Sequence, residues 1–423
     1  MTSHRWGPGM TVQGGVFAIG GRGRFTAAAL LGAAVAAAAA GCSGSGAAER
    51  GEAVSLAVTP AAGAGKVRPD AALDVRAKGG TLEDVTVATK GEAVEGRLSG
   101  DRTGWSSRWS LQPGTAYTLT ATALGNDGRT QTVTRQFRTA QAKRTLATTV
   151  TAPNAKEVVG VGMPIILQFE RPVADRAAVE RALEVRASKP AEGAWHWFDA
   201  QSVVFRTKQH WPAHTQVSFR AHLAGVRMAK GVYGGKNYRT DFEIGDEHIM
   251  KASENAHVMT VRKNGKKVRT MRISMGKGGL TKYTTTNGNH LTMDKASPVI
   301  MDSTTVGCGK GCPDYYRQTV YSAVRISDSG EYVHSAPWSV GSQGNSNVSH
   351  GCVNASPSDA RWFYNFAYRG DPFKVTGSSR ELDPQNGWGY WQLGWADWLK
   401  GSALKRAQQV GPQAARQGIA AAP

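Results

Sequence analysis

Two stretches about a hundred residues apart, Leu111-Gln-Pro-Gly-Thr-Ala-Tyr117 and Trp211-Pro-Ala-His-Thr-Gln-Val217, share a pattern and lead into similar runs. Tyr117, Leu119 and Ala121 alternate with polar neighbours in the first copy, and Val217, Phe219 and Ala221 do so in the second. Alternation with period two places one set of side chains on one face of a sheet. Phe137 and Phe242 then mark the final strand of each copy. Val54, Leu56 and Val58 open the first copy, and Gly, Pro and Asp-Gly pairs punctuate its runs. The repeat predicts two β-sandwiches of similar size, joined near Lys143–Thr149. Neither copy clusters catalytic residue types. His196, His210 and His214 read as surface or packing histidines, and the sandwiches read as spacers.

Leu111–Tyr117 also resembles the corner of an immunoglobulin-like sandwich, where a tyrosine packs back on a turn. The chain of 423 residues, 40% of them hydrophobic, is long enough for two to four domains with real cores.

The N-terminus has a different composition. Arg22 and Arg24 precede an apolar run from about Thr26 to Ala40, short for a membrane span and typical of a secretory signal. Ala39-Ala40-Gly41-Cys42 resembles a bacterial lipobox, which implies lipidation of Cys42; ordinary cleavage is the alternative. Either reading puts the mature chain outside the cytoplasm, anchored in the first case to the outer face of the membrane. Residues 42–52 then form a tether. Residues 1–41 hold three arginines and no acid, so the remainder carries +16 of the formal +19. Such a surface attracts polyanions: teichoic-type polymers, anionic phospholipid heads or peptidoglycan carboxylates. Nucleic acid is not expected, because the chain is exported and carries no nucleic-acid motif.

Chemistry concentrates in Ser349-His350-Gly351-Cys352-Val353-Asn354, with His334 upstream and fourteen residues between His334 and Ser349. A thiol becomes a useful nucleophile when a nearby base or cation holds it as thiolate, and histidine is the usual partner. Gly351 leaves room for backbone to approach a carbonyl, and the amides of Gly351 and Cys352 are candidate oxyanion donors. Two histidines compete as base. His350 lies two residues before Cys352, on the same side of an extended strand, so spacing favours it.

The pattern His-x14-Ser-His-Gly-Cys-Val-Asn resembles the signature of the L,D-transpeptidases, cysteine enzymes that cross-link peptidoglycan. The resemblance runs from roughly His248 to Leu404, and the upstream half resembles the two immunoglobulin-like domains of actinobacterial members. The implied fold is mainly β: two immunoglobulin-like β-sandwiches, then a mixed, β-rich catalytic domain with a short helix after the nucleophile. The expected segments are a signal over 1–41, sandwiches over 53–144 and 145–246, a catalytic domain over 247–378, a tryptophan-rich docking segment over 379–405 and a mobile tail over 406–423. Asn264-Gly265 predicts a hairpin turn at the start of the catalytic domain. Ser356-Pro357-Ser358-Asp359 has the capping and first-turn residues of the helix. Trp388, Trp391, Trp395 and Trp398 are expected to dock on the preceding sandwich.

The resemblance implies a thioester at Cys352, loss of D-alanine from a tetrapeptide stem, and a 3→3 cross-link to a neighbouring stem. It gives the base role to His334, oriented by the Ser335 carbonyl, with His350 supporting the loop. Ser349 would fix that loop and Asn354 would help position substrate. The segment from about Ala296 to Val320 would form a lid carrying Met301 and Tyr316; the adjacent Tyr315 leaves that last register open. Ser329 and Gly330 fall at substrate-contacting positions, and Trp338 is either a pocket wall or core packing. Val306 stands where some relatives have a second lid tyrosine. With Cys42 lipidated and Cys352 catalytic, Cys308 and Cys312 remain for a disulfide across two glycines. A zinc site of Cys352, His350 and His334 is chemically conceivable, but the resemblance is to a cofactor-free enzyme, so no metal or cofactor is expected. It also implies covalent capture by carbapenems. An L,D-carboxypeptidase, using water in place of the acceptor amine, and a silent wall-binding scaffold are the competing functions.

Overall fold

The computed structural model describes residues 52–90 and 92–412, all within one compact unit, Arg50–Pro423. The signal, Cys42, most of the tether and residues 413–423 lie outside the described residues, as does the side chain of Val306.

The first sandwich is made of two four-stranded sheets between Ser55 and Arg138. Its long strand Ala116–Gly125 alternates buried and partly exposed positions, and buries Tyr117, Leu119, Ala121 and Ala123 against Leu73, Val75 and Leu82. The Tyr117 hydroxyl accepts from the Gln112 amide at 2.9 Å, five residues upstream, which closes the corner. In the second copy Trp211 stands in place of Leu111, and its indole donates to the Met163 carbonyl at 2.9 Å. Val217 fills the position of Tyr117 and is buried with Phe219, Phe205 and Trp195.

The second sandwich pairs a four-stranded sheet with a five-stranded one. The fifth strand, Gln408–Val410, comes from beyond the catalytic region and pairs antiparallel with Ala191–Gly193. The expectation of a mobile tail from residue 406 is therefore corrected over residues 408–410. Its glutamines supply a short strand to the open edge of Ala191–Trp197, and Val410 is buried in the sandwich core. The tryptophan-rich segment packs on the same sandwich. Trp398, in the helix Trp395–Lys400, is fully buried and donates to the Ala194 carbonyl at 2.9 Å. Arg206, 2% exposed, lies 4.6, 5.5 and 4.5 Å from the rings of Trp391, Trp395 and Trp398 and donates to the Leu393 carbonyl at 2.7 Å. His196 and His210 pack against Trp398 and Trp391 in turn, so both are packing histidines.

The C-terminal domain is built on a ten-stranded sheet. Its hairpin Val258–Lys263 to Lys266–Ser274 turns at Asn264 and Gly265, with φ of +48° and +77°. At the centre, Tyr332–Ser335 and Val353–Ala355 run parallel, with Val333 opposite Val353 and His334 opposite Asn354. Both valines are fully buried with Ile273, Phe363 and Phe373. The helix Pro357–Phe366 follows at once, and the Ser356 hydroxyl caps it by accepting from the Asp359 amide at 3.2 Å. A separate hairpin, Val299–Asp302 with Arg317–Val320, projects from the sheet, and its loop contains the Cys308–Cys312 disulfide.

Candidate active site

The parallel pair determines which side chains meet. Val333 and Val353 point into the core, so their neighbours point the other way. His334 therefore shares a face with Asn354, and with Cys352 one strand step earlier. All three line one cavity of about 310 Å³ together with Ser349, His350, Trp338, Met301 and Tyr316.

His334 is 4% exposed, and its Nδ1 lies 3.0 Å from the Ser335 carbonyl. A carbonyl can only accept, so Nδ1 carries the proton and Nε2 keeps its lone pair. Burial holds the imidazole pKa below its usual value, against the smaller opposite effect of the Ser335 carbonyl. The Cys352 thiol is pushed up to about 12, chiefly by burial and secondarily by the Glu331 carboxylate, while the Tyr332 amide works in the opposite direction. The resting pair is a neutral thiol and a neutral imidazole. Burial thus opposes the standing thiolate expected from the sequence, and a thiol attacking from this state gives up its proton in the same step. The Cys352 sulfur is 3.6 Å from the Gly330 carbonyl, which aims the thiol hydrogen.

Ser349 holds the loop before the nucleophile. Its hydroxyl donates to the Cys352 carbonyl at 2.6 Å and accepts from the Gly351 amide at 3.1 Å. The Gly351 amide is thus engaged and unavailable to an oxyanion, which leaves the Cys352 amide as the candidate donor. Gly351 has φ of +119°, and a Cβ there would meet nothing closer than 3.9 Å. Backbone conformation rather than crowding requires glycine. Thr285 accepts the remaining task, donating its hydroxyl to the Gly351 carbonyl at 2.8 Å.

The lid contributes the opposite wall. Ser303, fully buried, ties its two ends together: its hydroxyl donates to the Cys308 carbonyl at 2.8 Å and accepts from the Tyr316 amide at 2.9 Å. Burial pushes the Tyr316 phenol up to about 12, so it remains a hydrogen-bond donor. Tyr315 and Tyr316 both reach the cavity. The Tyr316 ring centroid is 4.9 Å from that of His350, and Tyr283 meets the same imidazole edge-on at 4.7 Å. Asp314 closes this corner, 2.7 Å from Lys277 and 3.8 Å from His350. His350 is a packed partner of the lid, while His334 presents a free lone pair.

The remaining expected contacts divide. Asn354, 3% exposed, lines the cavity and also braces the strand by donating its amide to the Ser339 hydroxyl at 3.1 Å. The Ser329 hydroxyl is 3.0 Å from that of Ser327 and accepts from the Asn386 amide at 2.9 Å; it braces the turn before His334 and does not line the cavity. Gly330 contributes its carbonyl. Trp338 is 51% exposed, so it is a wall and not core. Sequence reading missed Glu331, which is 3% exposed and accepts from the Thr286 amide and hydroxyl, both at 2.6 Å. It adjoins Gly330 in the chain, but an acid just before a strand gives no signal of burial. Among the described residues no group of three or more His, Cys, Asp or Glu is placed to hold a metal ion.

Comparison with known proteins places these residues in context. A family model for the L,D-transpeptidase catalytic domain matches residues 247–375, and one for a bacterial Ig domain matches 64–227, across both sandwiches. L,D-transpeptidase 2 of Mycobacterium tuberculosis (strain CDC 1551 / Oshkosh) is 41% identical over 345 residues, 81% of this chain and 83% of that protein. L,D-transpeptidase 5 of Mycobacterium tuberculosis (strain ATCC 25618 / H37Rv) is 35% identical over 356 residues, 82% of this chain and 77% of that protein. Among solved structures, LD transpeptidase LdtMt1 in complex with imipenem is 39% identical and covers 55% of this chain and 99% of that one, with a TM-score of 0.47.

Proposed function

The chain belongs to the L,D-transpeptidase family, and from that premise we propose that it forms 3→3 peptidoglycan cross-links through a thioester at Cys352. One observation carries the reading: the Ser335 carbonyl fixes the His334 tautomer that leaves Nε2 as acceptor, and His334 and Cys352 line one cavity.

A tetrapeptide stem enters with the carbonyl between its third and fourth residues against Cys352. The sulfur attacks that carbon as His334 Nε2 takes the thiol proton. The Cys352 amide and the Tyr316 hydroxyl are within the site to stabilise the oxyanion. Collapse breaks the C–N bond, and His334 returns the proton to the departing D-alanine amine. The side-chain amine of a second stem then attacks the thioester, loses its proton to His334, and the thiol is regenerated. No cofactor takes part in these steps. The same sulfur would open the strained ring of a carbapenem and keep the acyl group, with a weaker response to penicillins.

We further propose an extracytoplasmic location, with the chain held to the membrane by lipid on Cys42. The Cys308–Cys312 disulfide supports an oxidising compartment, and the apolar run ending at Cys42 supports export. Metabolic lipid labelling that persists in Cys42→Ala would rule the anchor out.

The deciding experiment incubates disaccharide-tetrapeptide with the wild type and with Cys352→Ala, and reads the products by mass spectrometry. A cross-linked dimer from the wild type alone is expected. Tripeptide without dimer would make the chain a carboxypeptidase, and full cross-linking by Cys352→Ala would remove the cysteine mechanism.

A further inference from the structure

A large recess is far from Cys352 in sequence. It lies between the two sandwiches, has a volume of about 1390 Å³, and is closed on one side by the C-terminal strand. Six arginines line it: Arg76, Arg97, Arg108, Arg181, Arg186 and Arg406. The one acid on its wall is Glu184, already paired with Arg108 and, at 3.0 Å, with Arg186. Arg76, Arg97, Arg181 and Arg406 form no ion pair among the described residues. Four unpaired guanidiniums facing one recess repel each other, and an anion entering it relieves that repulsion.

The shape narrows the choice of anion. A small-molecule pocket occupies about 300–1,000 Å³, so this recess suits a stretch of chain better than a single ion. A flat bilayer surface cannot enter a recess between two domains. Single-stranded nucleic acid needs exposed aromatic faces for its bases. Here Trp105 is 7% exposed, while Trp109 is covered by His222 stacked at 3.8 Å and by Arg108 at 4.7 Å. What remains is a flexible chain with regularly recurring charge and no bases. Guanidinium forks match phosphate oxygens two at a time.

We propose that the cleft between the sandwiches binds a polyol-phosphate polymer, the phosphodiester-linked chain chemistry of cell-wall polyanions. The sandwiches then hold the enzyme on wall polymer as well as spacing it from the membrane. The assignment is independent of the reaction at Cys352, and its test reads binding alone.

The test titrates the full chain into fluorescently labelled poly(glycerol phosphate) of defined length. Arg97→Gln with Arg406→Gln should weaken binding by at least about tenfold, and raising salt from 50 to 200 mM should weaken wild-type binding by roughly 50-fold for about four phosphate contacts. Arg129→Gln with Arg135→Gln removes the same charge from one exposed and one partly exposed position, neither of which lines the cleft. This control should change binding by less than about twofold. Equal losses in the two double variants would reduce the effect to bulk charge and overturn the site. Tighter binding to single-stranded DNA or to phosphatidylglycerol vesicles through the same arginines would overturn the ligand class. Turnover of a soluble stem substrate should stay at the wild-type level in the Arg97/Arg406 variant, which distinguishes loss of the cleft from loss of the fold.

Discussion

The Nδ1 of His334 is 3.0 Å from the carbonyl oxygen of Ser335, its neighbour on the same strand. That single bond makes His334 an acceptor toward Cys352 and separates its role from that of His350. His334→Ala should lose about 10²–10⁴-fold in kcat/KM, and His350→Ala less than about tenfold. Steady-state kinetics on a soluble stem substrate give the ranking; the reverse order would transfer the base role to His350.

The pH profile follows from the same pair. His334 works as a base only when neutral, and burial lowers its pKa, so the acid limb of kcat/KM should lie below the ordinary imidazole value of 6.5. Cys352 is pushed up to about 12, so thiolate does not accumulate across the neutral and mildly alkaline range. Activity should therefore be flat from about pH 7 to 9, while iodoacetamide alkylation of the substrate-free enzyme stays slow and rises with pH. Rapid alkylation at neutral pH would mean a standing thiolate.

Glu331 is placed to oppose ionisation of the nucleophile. Glu331→Gln removes the charge and retains an oxygen for the Thr286 amide. Alkylation of Cys352 should then speed up by about three- to tenfold at fixed pH. Glu331→Ala should instead cost about 1–3 kcal/mol, because the Thr286 amide and hydroxyl lose their partner. An unchanged alkylation rate in Glu331→Gln would leave the carboxylate a purely structural role.

Ser303 should matter more to the lid than the disulfide does. It bonds both Cys308 and Tyr316, whereas the disulfide closes a loop of sequence separation 4. Replacing both lid cysteines by serine should cost at most about 2 kcal/mol. Ser303→Ala should raise KM, because Tyr316 loses its anchor. Hydrogen exchange over residues 303–316, faster in Ser303→Ala than in the double serine variant, is the expected readout; the opposite order would make the disulfide the main restraint.

Arg206 joins the tryptophan-rich segment to the second sandwich. Arg206→Ala removes cation–π contacts to three rings and leaves the Leu393 carbonyl unpaired, a loss of about 2–4 kcal/mol. Lysine should not rescue it, since an ammonium cannot lie flat among three indoles. Thermal melts followed by tryptophan fluorescence test this, and an unshifted transition would show that the segment holds without the arginine.

Much of this architecture was readable where a local rule acts alone. Alternation revealed the sandwich strands, Asn264-Gly265 the hairpin and Ser356-Pro357 the helix start. The tautomer at His334 was available only through family resemblance, since spacing by itself pointed to His350. Roles set by distant partners were not readable. Ser329 was expected to meet substrate, but Asn386, remote in sequence, engages it away from the cavity. Glu331 shows the same limit, because its burial depends on Thr286 in another strand. The strand Gln408–Val410 was missed because three residues of Gln-Gln-Val acquire a sheet only from the edge they meet.

That last strand orders the molecule's assembly in time. A nascent chain delivers residues 191–197 long before residues 408–410, so one margin of the second sandwich stays bare until the later strand emerges. The margin can be sealed only after the whole catalytic region has been made, so the second sandwich closes around a domain that lies between its own strands in sequence.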